Sequence, residues 1–98
     1  MQKEQLISTD ECCTYYNVDI SFISSLSEYG LIEIIAAEQK EFINMSQLQQ
    51  LEKLIRLHYE LEINIEGIEA ISHLLERVEN LQQEMIHLKS KLQLYESA

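Results

Sequence analysis

Four carboxylates, Glu60, Glu62, Glu66 and Glu69, fall within ten residues of this 98-residue chain. Carboxylates so close could trade protons, hold a cation, or accept the basic side chains of another protein. The first two uses need helpers that the sequence does not supply. There is no nucleophile elbow, no phosphate-cradling glycine loop and no HExxH pair. His58, His73 and His87 are too scattered to form a metal cage, and all three are expected to face solvent. The expectation is therefore a protein that is not an enzyme, with no metal and no cofactor. Two uses of the glutamates stay open. They are a solvated face, with Glu66 well placed in the first turn of a helix, or a docking patch for a basic helix.

The charge balance favours a basic partner. Before Lys53 the only basic residues are Lys3 and Lys40, against Glu4, Asp10, Glu11, Asp19, Glu28, Glu33, Glu38, Glu41 and Glu52. The formal net charge is -10, which disfavours nucleic acid and anionic membranes as partners and suits a basic protein surface. No apolar run approaches the roughly 18–20 residues that a membrane span requires. The opening MQKEQLIST carries no apolar signal core, so a cytoplasmic location is expected. Cys12 and Cys13 are adjacent in a segment that reads as helix. Neighbouring helical side chains diverge by about 100°, which is poor geometry for a disulfide, so one thiol is expected in the core and one near the surface.

With no proline and two glycines, the chain reads as mostly helix. Ser8-Thr9-Asp10-Glu11 has the pattern of a capping box, and Asn17 closes the short helix that follows. Asp19 is placed to cap a second helix, ISFISSLSEY, which Gly30 ends in the left-handed conformation. Two short helices joined by Asn17-Val18-Asp19 make a helix-turn-helix pair. Leu31–Ile35 and Glu41–Ile43 are β-rich and predict a small hairpin, or wing. Asn44 is expected to cap a third helix, with Gln47 at the capping-box position. The apolar stripe of that helix runs Leu48, Leu51, Leu54, Leu57, Leu61. Tyr15, Tyr16, Phe22, Tyr29 and Phe42 cluster in this half. Most should pack in the core, and one left on the surface could anchor a protein partner.

Asn64 then caps a last helix, with Ile63 and Ile68 at staple positions. From Ile71 the spacing becomes a heptad, with Ile71, Val78, Met85 and Leu92 at a, and Leu74, Leu81, Leu88 and Tyr95 at d. A helix from Ile65 to Tyr95 would be about 46 Å long, against a diameter of roughly 26 Å for a compact domain of this size. The distal half therefore calls for a partner helix, and a homodimer through the a and d residues is expected. In a parallel pair Glu84 would face Lys89 of the other chain, and Lys91 would face Glu96. Each such pair is worth only about 0.2–1 kcal/mol, so orientation stays open. The expected layout is mainly α, with a winged helix-turn-helix part over 1–62 and a long coiled-coil helix over 63–98.

The order of these parts resembles the MerR-like architecture. It is similar over essentially its whole length to the small MerR-like group of chaperone-modulatory proteins called CbpM. The residues that carry the likeness are Leu6-Ile7-Ser8 with Glu11-Cys12, the turn Tyr29-Gly30-Leu31-Ile32-Glu33, Arg56 to Leu61, Gly67-Ile68 and the leucine-rich tail. The resemblance implies a protein that binds the J-domain of a DnaJ-type co-chaperone and inhibits it. J-domains are basic where they meet Hsp70, which an acidic inhibitor suits. A MerR-type DNA-binding transcriptional regulator and a dimeric structural adaptor are the alternatives. Against the first of them, the second helix and the wing lack the arginines that MerR-type activators carry, and Lys40 stands alone there.

Overall fold

Ser8 opens the first helix as its spacing predicts: its hydroxyl accepts the Glu11 backbone N–H at 3.1 Å. In the computed structural model, which describes residues 5–97, a strand β1 (Leu6–Ser8) leads directly into helix α1 (Thr9–Tyr16). The left-handed Asn17 (φ 55°) ends α1, and Val18 N–H closes the turn onto the Cys13 carbonyl at 3.0 Å. Helix α2 (Ile20–Glu28) follows two residues later. Asp19 sits at its N-cap position in extended conformation, but its side chain makes no capping bond. The expected side-chain cap is not made, and the Asp19 backbone N–H separately donates to the Tyr59 hydroxyl at 3.3 Å. At the other end, Gly30 (φ 73°) is left-handed as expected. Leu31 N–H reaches the Leu26 carbonyl at 2.9 Å and Gly30 N–H reaches Ser27 at 3.0 Å, a Schellman motif.

The wing is a three-stranded antiparallel sheet rather than a lone hairpin, in the order β1-β3-β2. Strands β2 (Ile34–Ala37) and β3 (Lys40–Asn44) pair with Ile34 opposite Ile43 and Ala37 opposite Lys40. The two-residue loop between them, Glu38 (φ 51°) and Gln39 (φ 65°), has the two left-handed residues of a type I′ turn. Neither is Asn or Gly, so the tight turn carried no sequence signal. β1 adds to the other side of β3, with Ile7 opposite Ile43. It is three residues long, too short for an alternation to register.

Asn44 Oδ1 accepts the Ser46 N–H at 2.9 Å, so the expected cap is made, but onto a 3-10 turn (Met45–Gln47) that precedes helix α3 (Leu48–Ile55). Gln47 does not complete a capping box. Its amide instead bonds the backbone of Glu33 in both directions, at 2.8 Å and 3.0 Å, which ties the Leu31–Glu33 segment to the start of α3. The expected continuous helix to Leu61 widens at Arg56–Glu60 into a π-turn, closed by Leu61 N–H on the Arg56 carbonyl at 3.3 Å. Glu62 (φ 56°) then reverses the chain.

Helix α4 (Ile65–Ser97) has 33 residues, about 49 Å at 1.5 Å per residue. Its first turn is fixed as the sequence foretold. Asn64 Oδ1 accepts the Gly67 N–H at 2.8 Å, Ile68 is fully buried, and Ile63 packs on the same core. That core is Cys12, Ile23, Leu26, Ile43, Leu51, Leu54 and Ile68, drawn from α1, α2, β3, α3 and α4. Cys13 is half-buried against it.

A side chain at Gly67 would put its Cβ 2.8 Å from Ile63 Cγ2 and 3.0 Å from Asn64 Oδ1. Ile63 is branched at Cβ, so Cγ2 moves only if χ1 leaves its rotamer. Overpacking of this kind costs about 1–3 kcal/mol, and the gain in helix propensity of up to about 1 kcal/mol offsets only part of it. Gly67→Ala is expected to lower Tm by several degrees in a thermal melt. An equal or higher Tm would show that Ile63 gives way freely.

Candidate functional site

The four glutamates of the junction are carried by three different backbone conformations. Glu60 ends the π-turn, Glu62 is the left-handed linker residue, and Glu66 and Glu69 lie on the first turns of α4. Glu60, Glu62 and Glu66 are exposed and Glu69 is half-buried. Two have partners within the chain. Glu60 Oε2 lies 3.9 Å from Arg56 Nε, with both side chains about 70% exposed (69% and 70%). A pair that open to water is worth only a few tenths of a kcal/mol, so Glu60 remains free to meet another cation. Glu66 is held more specifically, for the Tyr29 hydroxyl donates to its Oε1 at 3.0 Å.

That hydrogen bond ties the C-terminal end of α2 to the root of α4. It also pushes the Tyr29 phenol above its ordinary value, chiefly through the bond to Glu66 and then through the charges of Glu66, Glu69 and Glu28 with some burial. Three carboxylates therefore surround this ring. Glu28 is the residue before Tyr29 in the chain, whereas Glu66 and Glu69 act on the ring from α4.

A second cluster joins the start of α2 to the π-turn. Phe22 stacks on the His58 ring at 4.5 Å and 17°, and Tyr59 meets both rings edge-on, at 5.4 Å from Phe22 and 4.9 Å from His58. His58 Nδ1 lies 2.9 Å from the Ile63 carbonyl. The expectation of a solvent-facing histidine is thus corrected for His58, which is half-buried and helps to set the linker. His73 and His87 are exposed. Of the five aromatic residues noted in the sequence, Phe22 is buried, Tyr16, Tyr29 and Phe42 are half-buried, and Tyr15 is left outside at 79% exposure. Burial pushes the Cys12 and Cys13 thiols up, with neighbouring acidic groups adding to it. Raised thiols hold little thiolate, the reactive form. Among the described residues, no group of three or more His, Cys, Asp or Glu side chains is arranged to hold a metal ion.

Along α4 every residue from His73 to Glu96 is exposed. Ile71 is half-buried at the root, and the other seven seam residues, Leu74, Val78, Leu81, Met85, Leu88, Leu92 and Tyr95, range from 47% to 83% exposed. Leu75, Ile86 and Leu94 add exposed apolar surface outside the seam. Leu75 and Val78 line a groove of about 490 Å³ between α4 and α3, with Leu54 and Leu57 on the opposite wall. The helix-turn-helix has no basic residue in α1 or α2, and Lys40 is the one cation of β2 and β3.

The two-helix unit, the wing against it and the long helix beyond are the parts of a MerR-like regulator. The sequence profile of the MerR HTH regulatory protein family matches residues 7–90, and the chain belongs to that family. A comparison with curated protein sequences gave no match. The fold is mainly α, with a small antiparallel sheet and a long C-terminal helix. No helix among the described residues is long and apolar enough to cross a membrane.

The Tyr29 shift has a defined sign. A phenol pushed up in the folded state stabilises the fold fully below its unfolded value, 10.0, and loses that contribution as pH rises through the folded value. Tyr29→Phe is expected to be less stable than the wild type at pH 7, with the gap closing above pH 10. A gap that stayed constant in denaturant melts from pH 7 to 11 would contradict the Tyr29–Glu66 bond.

Proposed function

We propose that this member of the MerR family is a non-enzymatic, cytoplasmic regulator that binds a basic protein surface instead of duplex DNA. The partner that its resemblance to the chaperone-modulatory group implies is the J-domain of a DnaJ-type co-chaperone. The carrying observation is that α1 and α2 hold no Lys or Arg and the wing holds Lys40 alone. Duplex binding draws most of its affinity from phosphate neutralisation by Lys and Arg, and its base reading mainly from Arg, Lys, Asn and Gln. Serines and an isoleucine on α2 supply neither. A chain of net charge -10 would be steered to a basic protein face. Occupying the J-domain face that meets Hsp70 would inhibit by competition, with no chemistry asked of the regulator. Glu60, Glu62, Glu66 and Glu69 serve in this reading as the acidic docking residues, Glu66 while it also holds Tyr29.

The family match favours a second reading, a DNA-binding transcriptional regulator. What speaks against it is the same charge distribution.

We further propose that two copies pair through the seam from Ile71 to Tyr95. Burying a large apolar side chain is worth about 1.5–3 kcal/mol, so seven exposed seam residues offer ample driving force for association. Leu81→Asp is expected to give a monomer with a frayed distal helix, seen as a halved mass and reduced helical signal. An unchanged mass in analytical ultracentrifugation would contradict the seam.

Affinity capture from cytosol with the wild-type chain as bait is expected to return a J-domain protein. Glu60→Lys/Glu62→Lys bait should return markedly less of it. Repeated capture in which no J-domain protein appears would count against the reading.

A further inference from the structure

The junction glutamates can attract a basic partner, but exposed charges alone give little affinity. A docking surface also needs desolvated apolar contact, and one place on the helix-turn-helix face offers it beside carboxylates. Ile20, the first residue of α2, is 48% exposed. It lines a cleft of about 310 Å³ between α1 and the wing tip, whose walls include Asp10, Glu11, Glu41 and Phe42, against one cation, Lys40. On its other side the chain turns at Asp19, whose N–H reaches the Tyr59 hydroxyl at 3.3 Å. Tyr59 is 44% exposed, and Glu60 follows it at the end of the π-turn. Ile20 is thus an exposed apolar residue in a cleft whose charged walls are three carboxylates and one cation.

Nothing in the fold calls for that arrangement. Ile20 lies outside the core, and a polar residue at the first position of α2 would leave the Schellman end and the buried Phe22, Ile23 and Leu26 untouched. Its surroundings also select the partner. Phosphate groups would meet Asp10, Glu11 and Glu41, whereas a Lys- or Arg-bearing helix would find apolar contact at Ile20 and opposite charge on the rim.

We infer that the cleft at Ile20 is the apolar anchor for a basic amphipathic helix of a partner protein, with Asp10, Glu11 and Glu41 on its rim. This rests on the proposed binding of a basic protein and assigns the face that does it. On this assignment the rim carboxylates set the association rate and its salt dependence, while Ile20 sets how long the complex lasts.

The test is a titration of the full chain with a purified J-domain from a DnaJ-type co-chaperone, repeated with Ile20→Asp and Ile20→Ser. Both variants are expected to bind at least tenfold more weakly while their Tm stays at the wild-type value. Asp10→Lys/Glu41→Lys is expected to slow association and flatten its dependence on salt. A J-domain that binds the wild type and both Ile20 variants within twofold would overturn this assignment and leave the proposed function standing. A J-domain that does not bind the wild type would overturn both. Duplex DNA binding that the Ile20 variants weaken would show that this face reads nucleic acid, against the assignment.

Discussion

Everything beyond residue 72 hangs on how the first turn of α4 is seated. Among the described residues of that helix Ile68 alone is fully buried, and it is delivered to the core by three neighbouring devices. The Asn64 side chain fixes the Gly67 N–H, Ile63 packs beside it, and Gly67 leaves the space that Ile63 occupies. Two bonds then set the direction of the rod from outside the helix, Tyr29 to Glu66 at 3.0 Å and His58 Nδ1 to the Ile63 carbonyl at 2.9 Å. The molecule reaches 60 Å along its longest axis, with a radius of gyration of 18.1 Å against about 13 Å for a compact chain of this length. The rod is anchored at one end and apolar along one side, the side that the proposed pairing would cover.

The electrostatics of the two halves complement that geometry. The scaffold keeps the parts that give a helix-turn-helix its shape, namely the Ser8 cap, the left-handed Asn17 and the Schellman end at Gly30. None of these depends on charge. The surface positions, which are free to vary without disturbing the core, carry carboxylates where a DNA reader needs cations. Shape and surface charge are thus separable here, and the proposed partner class follows from the surface charge.

Much of this could be read in the sequence because the signals were local. Caps and staples act over three or four residues, and so Ser8, Asn44, Asn64, Ile63 and Ile68 sit where their spacing put them. The long helix α4 was legible for the same reason, and its heptad residues from Leu74 to Tyr95 are exposed along it. What stayed hidden was non-local or lacked its usual residue. Strand β1 exists only because β3 offers it an edge. The turn at Glu38-Gln39 forms without Asn or Gly because the pairing of β2 and β3 imposes it. Gln47 left its capping position for the Glu33 backbone, and Asp19 gave up its cap while its N–H met Tyr59. Of the acidic residues, the linear cluster was visible, but not the hydrogen bond that ties Glu66 to Tyr29. The exposure of Ile20 was equally hidden, since exposure of a helix's first residue is a tertiary fact.

The central claim, a DNA reader's frame holding a basic protein, is tested most directly by two titrations run side by side at low salt, about 50 mM, where both kinds of electrostatic binding are strongest. One uses a labelled pool of duplex DNA and the other a labelled J-domain, each followed by fluorescence anisotropy against the full chain. The J-domain is expected to bind, more weakly as salt rises, and the duplex to stay free. Saturable duplex binding with a steep salt dependence, alongside a J-domain that stays free, would contradict it.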